Sequence, residues 1–135
     1  MTVTAEPARV KSGVELIAEE RETHDAKGFD AKHDDQHGVG ELCLVAALLA
    51  TWEKLYTFDE SANGLHFTDP WPWTDYDPRP FNGNVVQHNR SLGHAERIKQ
   101  LAVAGSLIAA EIDILQRIPA KEFDRYRTPS GILEE

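Results

Sequence analysis

An all-α fold is the class that this chain of 135 residues predicts, on three observations. Between Ser91 and Ile118 apolar residues recur at three- and four-residue spacing for more than four turns, the signature of a helix with a buried face. From Glu41 to Trp52 the run Leu-Cys-Leu-Val-Ala-Ala-Leu-Leu-Ala-Thr is apolar on nearly every side, too long for one strand and suited to a buried helix. Between these runs, residues 57–90 hold Pro70, Pro72, Pro78 and Pro80, a density that excludes regular helix or a central strand. The expected architecture is three main antiparallel helices, about 13–26, 38–56 and 91–118, with a long aromatic and proline-rich crossover between the second and third.

Residues 1–11 read as a flexible polar arm. Ser12-Gly13-Val14-Glu15 has the form of a capping box, in which hydroxyl and carboxylate satisfy the orphan amides of a first turn. A first helix over 13–26 follows, closed by Lys27-Gly28. Residues 28–37 show neither helical nor alternating periodicity and read as a loop. The second helix starts at Gly38, weakened by Gly38 and Gly40, and runs to Tyr56. Residues 57–90 read as an irregular flap whose Phe58, Phe67, Trp71, Trp73 and Phe81 hold it against the body. Two short strands around Gly64-Leu-His-Phe-Thr are compatible with the composition but are not counted in the expected fold. The third helix has Ser91 as cap and Pro119 as stop. Its main stripe is Ile98, Leu101, Ala102, Gly105, Ile108, Ala109, Ile112 and Leu115, broadened by Ala104, Leu107, Ile114 and Ile118, which makes it the central core helix. The tail 119–135 docks loosely through Phe123 and Tyr126. All of this fits one domain, since a chain this long buries roughly two thirds of its unfolded surface. Three helices of which the longest is apolar on most sides leave surface uncovered, so a homo-oligomer completing a four-helix core is expected.

The charge balance is 23 Asp and Glu against 14 Lys and Arg, a net of −9. Without surplus cations to displace counterions, duplex nucleic acid and anionic membrane surfaces are excluded as partners. Cys43 is the single cysteine and closes no intrachain disulfide. No apolar run approaches a membrane span and the start lacks a signal-peptide pattern, so a cytoplasmic location is expected. The charge is concentrated: Glu15 to Glu41 carries nine carboxylates against Arg21, Lys27 and Lys32, with His24, His33 and His37 among them.

Glu111 is the sharpest single signal, a carboxylate inside the apolar arc of the third helix. An unpaired buried carboxylate costs several kcal/mol, so it has to lose its charge, pair with a cation such as Arg21, Arg97 or Arg117, or bind a metal. Asp113 turns toward solvent. In His33-Asp34-Asp35-Gln36-His37-Gly38-Val39-Gly40-Glu41, carboxylates alone suit Mg²⁺ or Mn²⁺, and two imidazoles with a carboxylate suit Zn²⁺, Mn²⁺ or Fe²⁺; an acidic helix cap with surface histidines is the plainer reading. Glu41 leads an apolar helix and points inward. Glu15, Glu19 and Glu22 form an acidic stripe on the first helix, and Glu20, beside Ile17, is its better ligand candidate. Trp71-Pro72-Trp73 could stack a nucleobase or pack over the core. Cys43 reads as a small core residue, with nothing nearby to form a thiolate.

Glu20-Arg21, Lys27-Gly28-Phe29, His33-Asp34-Asp35-Gln36-His37, Gly40-Glu41-Leu42, Ala46-Ala47, Trp71-Pro72-Trp73 and Ala104-Gly105-Ser106-Leu107-Ile108-Ala109-Ala110-Glu111-Ile112 together, over residues 14–117, resemble a group of small phage and prophage proteins, mostly of unknown function. More distantly the layout is similar to MazG-like all-α nucleotide pyrophosphohydrolases. That resemblance implies a helical bundle in the host cytoplasm that cleaves a nucleoside triphosphate to monophosphate and pyrophosphate, with Mg²⁺ or Mn²⁺ held by acidic side chains. It implies Glu41 and Glu111 as catalytic residues and Glu20, His33, Asp34, Asp35, His37, Glu41 and Glu111 as the metal set. Arg21, Lys27, Trp71 and Trp73 would bind the nucleotide or another small phosphorylated ligand. The chain departs from the MazG pattern of Glu-x-x-Glu and Glu-x-x-Asp, because Leu44 follows Glu41 and Ile114 follows Glu111 at that spacing. A phage accessory protein that sequesters a nucleotide or a host protein, and a purely structural or interaction protein, are the alternatives.

Overall fold

A computed structural model describes residues 9–26 and 39–127 of the chain. Helix α1 spans Gly13–Ala26, α2 Glu41–Ala50, α3 His94–Arg117 and α4 Ala120–Phe123. Strands β1 (Thr57–Ser61) and β2 (Gly64–Thr68) form one antiparallel hairpin, and β3 (Phe81–Asn82) and β4 (Val85–Val86) another. The fold is therefore mixed rather than all-α. Proline keeps helix out of the crossover but does not keep out strands, because 57–68 carries none and alternates with period two. Tyr56, Phe58, Leu65 and Phe67 fall on one face and Thr57, Asp59, His66 and Thr68 on the other, with Phe58 directly opposite Phe67. The second hairpin turns through Gly83-Asn84, with Gly83 at φ 63°, the left-handed first loop position a type II′ turn requires.

Helix α1 begins where its capping box places it. The Glu15 amide donates to Ser12 Oγ at 3.2 Å and the Ser12 amide to Glu15 Oε1 at 3.0 Å. Arg9 forks onto the same carboxylate at 2.8 and 2.6 Å. These bonds, the Arg9 pair first, hold the Glu15 carboxyl at about 2 against an ordinary 4.5.

Helix α2 is shorter than its apolar pattern predicts and stops at Ala50 because side chains take over its last carbonyls. Asn89 Nδ2 donates to Leu48 O and Thr51 O at 2.8 Å each, and Arg97 donates to Leu49 O at 2.8 Å and Ala50 O at 2.5 Å. Asn89 comes from a 3₁₀ turn over Asn89–Ser91, and its own carbonyl oxygen accepts from Gln100 Nε2 at 2.7 Å. That turn also displaces the start of α3 from Ser91 to His94, where the Gly93 amide donates to Glu96 Oε1 at 3.3 Å. A cation at a helix C-terminus complements its dipole, although burial lowers the Arg97 guanidinium from its ordinary value.

The core lies between α2 and α3, which run antiparallel: Leu42, Val45, Ala46 and Leu49 meet Val103, Ala104, Leu107, Ala110 and Ile114. Ala104, Leu107 and Ile114 of the broadening set are thus buried, whereas of the main stripe Leu101, Ile108 and Ile112 face outward, Ile98 lines the cleft with α1 and Ala102 is buried. Helix α1 packs on another side of α3: Leu16 and Thr23 line a cleft with Ala95 and Ala102, Ile17 overlies Gly105, and Arg21 reaches Asp113. The tail forms α4 and a 3₁₀ turn over Asp124–Arg127 without a buried residue. No described helix is long and apolar enough to cross a membrane.

Candidate functional site

The end of α2 opposite the Asn89–Arg97 cap holds the residues singled out for chemistry. Gly40 enters the helix at φ 92°, a conformation that L side chains rarely adopt, which explains a glycine at an otherwise poor helix start. Its amide donates to Glu111 Oε2 at 3.0 Å. Glu111 is only 4% exposed, and its Oε1 accepts no hydrogen bond from any described residue. The expected salt bridge to Arg21 or Arg97 does not form: Arg97 caps α2 and Arg21 pairs at 3.4 Å with Asp113, whose side chain stays half-exposed. An anion at a helix N-terminus is favoured by the dipole, so α3 holds α2 at both ends, Glu111 at the amino end and Arg97 at the carboxyl end.

Glu41, on the next residue of α2, accepts from Trp73 Nε1 at 3.0 Å. Cys43, in the first turn, is half-buried rather than a core residue, and its thiol is pushed up by burial and by the Glu111 carboxylate. Two of the predicted ligands, Glu41 and Glu111, and one predicted binding aromatic, Trp73, therefore meet at one helix end.

Glu20 stands in the cleft between α1 and α3, a space of about 260 Å³ lined also by Leu16, Glu19, Ile98 and Lys99. Its carboxylate is ion-paired with Lys99. It reaches the α2 end only indirectly: the Tyr76 hydroxyl is pushed up by burial, by Glu20 and by Asp77, and the Tyr76 ring lies 6.2 Å from that of Trp73. Glu19 pairs with Lys11 at 2.7 Å, so the acidic stripe of α1 is partly neutralised. Lys27, His33, Asp34, Asp35 and His37 lie outside the described residues. Among the described residues no group of three His, Cys, Asp or Glu side chains is placed to hold a metal ion.

The segment carrying Trp71 and Trp73 is fixed by a latch that sequence reading missed. Arg79, 7% exposed, donates to Asp69 at 2.9 and 2.7 Å and to Asp77 at 2.9 and 2.7 Å. Burial works against its charge, but the bonds to Asp77 and Asp69 outweigh it and hold the guanidinium protonated. The guanidinium also stacks 4.4 Å from the Trp71 ring, whose Nε1 donates to Tyr76 O at 3.0 Å, and Trp71 meets Trp73 edge to face at 6.0 Å. Trp71 and Trp73 are half-buried against the core, so packing occupies much of the ring surface that stacking on a base would use. An Arg two residues after Asp77 and ten after Asp69 in a Pro-rich loop is the available signal.

The geometry offers two carboxylates at one helix end, one oxygen of Glu111 unpartnered among the described residues and Glu41 held by the Trp73 indole. No family model, no curated protein and no solved structure matches the chain.

Proposed function

We propose that the α2 amino end is a divalent-cation site and that the protein hydrolyses a nucleotide phosphoanhydride there. The observation that carries the reading is Glu111 Oε1, a buried carboxylate oxygen with no donor among the described residues, on a side chain whose other oxygen accepts from the amide of Gly40, the residue before Glu41. Oxygen ligands of this kind suit Mg²⁺ or Mn²⁺. Glu41 and Glu111 would hold the ion, with ligands from His33, Asp34, Asp35 or His37, the last only three residues before Gly40 in the chain. Such an ion supplies an activated water and neutralises charge developing on phosphate oxygens. Trp73 fixes the Glu41 carboxylate through its indole, and the Arg79 latch holds Trp73 in place. Arg21 and Lys27 are the cations that would meet a phosphate.

The test is turnover of a nucleoside triphosphate panel with Mg²⁺ or Mn²⁺, beside melting temperatures with each metal alone. Release of pyrophosphate together with a metal-dependent rise in melting temperature supports the reading, since a ligand of the native state must stabilise it. Neither effect in any combination overturns it. A second reading has its own observation: the Gly40 amide already gives Glu111 a role as the cap of α2. On that reading the protein binds a nucleotide or a host protein without catalysis, and nucleotide raises the melting temperature with no product formed.

A further inference from the structure

One stripe of α3 carries Ile98, Leu101, Gly105, Ile108, Ile112 and Leu115, at successive spacings of 3, 4, 3, 4 and 3 residues; Leu101, Ile108 and Ile112 face outward, and Ile98 and Gly105 form its border with α1. This is the alternation of a helix–helix seam with a 3.5-residue repeat. Its four isoleucine and leucine positions from 98 to 112 are 41–51% exposed, although Ile98 and Gly105 border α1 and α2 covers the opposite side of the same helix. A soluble chain does not ordinarily leave so continuous a row of large aliphatic side chains to water. At Gly105 the row is closed rather than gapped: a Cβ there would sit 2.6 Å from Ile17 Cγ1, so the α1 side chain fills the glycine's place.

Charge narrows the occupant. Each acid of α3 is turned off this face, Glu96 to the Gly93 amide, Glu111 into the α2 end and Asp113 to Arg21. In a chain of net charge −9 the seam is therefore a strip where two like-charged copies can touch without carboxylates facing one another. A seam of this repeat is complementary to another helix with the same repeat, and α3 of a second copy supplies it at equal concentration. We infer that a second copy of this chain docks here, α3 against its counterpart about a two-fold axis, with Ile17 of each copy contributing at Gly105.

Sedimentation equilibrium of the full chain from low micromolar concentration upward tests this. The expected mass is twice 15.1 kDa, and Ile108→Glu is expected to weaken the dimer at least about tenfold while leaving the helical circular dichroism unchanged. Ile112→Glu, on the most exposed of these positions, gives the same readout if Ile108→Glu does not fold, and Ile108→Leu keeps the dimer. A monomer throughout the range overturns the inference, whatever foreign protein the face then serves, and so does a dimer that survives both glutamate substitutions.

Discussion

At the scale of single residues, the buried polar side chains do different work at the two ends of one helix. Asn89, 2% exposed, spends its amide on two carbonyls of the α2 end and its oxygen on Gln100. Asn89→Ala leaves those groups buried and unpaired, at roughly 1–3 kcal/mol for the worst of them, so urea denaturation is expected to show a loss of about 2–4 kcal/mol. Glu111 can be separated into its two roles. Glu111→Gln keeps an acceptor for the Gly40 amide but removes the charge, so stability is expected to change by under about 1 kcal/mol. Turnover is expected to fall at least about 100-fold, the scale of a lost electrostatic group in a water-excluded site. Glu111→Ala also removes the acceptor and lowers the melting temperature. Equal turnover in wild type and Glu111→Gln would assign Glu111 to the cap alone.

Among the elements, those with their own local signal were legible. The Ser12–Glu15 capping box fixed the start of α1, and the apolar periodicities located α2 and α3. What periodicity cannot tell is which of two apolar arcs on α3 meets α2, because both satisfy the same spacing; the arc containing Glu111 is the inner one. The early end of α2 was invisible for a different reason, since Asn89 and Arg97 act on it across about 40 residues of chain. The hairpins were legible in part, as Gly83-Asn84 and the alternation of 56–58 and 65–67 are local signals that proline density nearby obscured. The 69–81 segment, expected irregular, is irregular but latched, and the latch makes a pH prediction. Arg79 first, then the Trp71 amide, holds the Asp69 carboxyl below its ordinary 3.8. A depressed carboxyl contributes stability that is present above the ordinary value and disappears as pH falls through the lowered one. Tryptophan fluorescence is therefore expected to change only below pH 3.8 as Asp69 takes up its proton and Arg79 loosens from Trp71. Asp69→Asn should shift the spectrum at neutral pH and flatten that acid response; an unchanged response would place the acid-sensitive contact elsewhere.

For the whole molecule, the −9 charge and the uncharged seam of α3 oppose each other, and salt decides the balance between them. Two copies approaching along α3 carry like net charge over most of their surfaces, so long-range repulsion acts against association. The seam itself contains no ion pair that screening could weaken. Raising ionic strength from about 0.01 M to 0.15 M shortens the Debye length from roughly 30 to 8 Å, which removes repulsion between the distant acids while leaving the apolar contact intact. The dimer dissociation constant is therefore expected to fall as sodium chloride rises, measured by sedimentation equilibrium at fixed pH. The intramolecular pairs that matter to the fold are not screened in the same way, because Arg79 is buried, and the melting temperature of a dissociated Ile108→Glu chain should move less with salt than that of the wild type. A dissociation constant that instead rises with salt would mean that cross-chain ion pairs, and not the α3 seam, hold the two copies together.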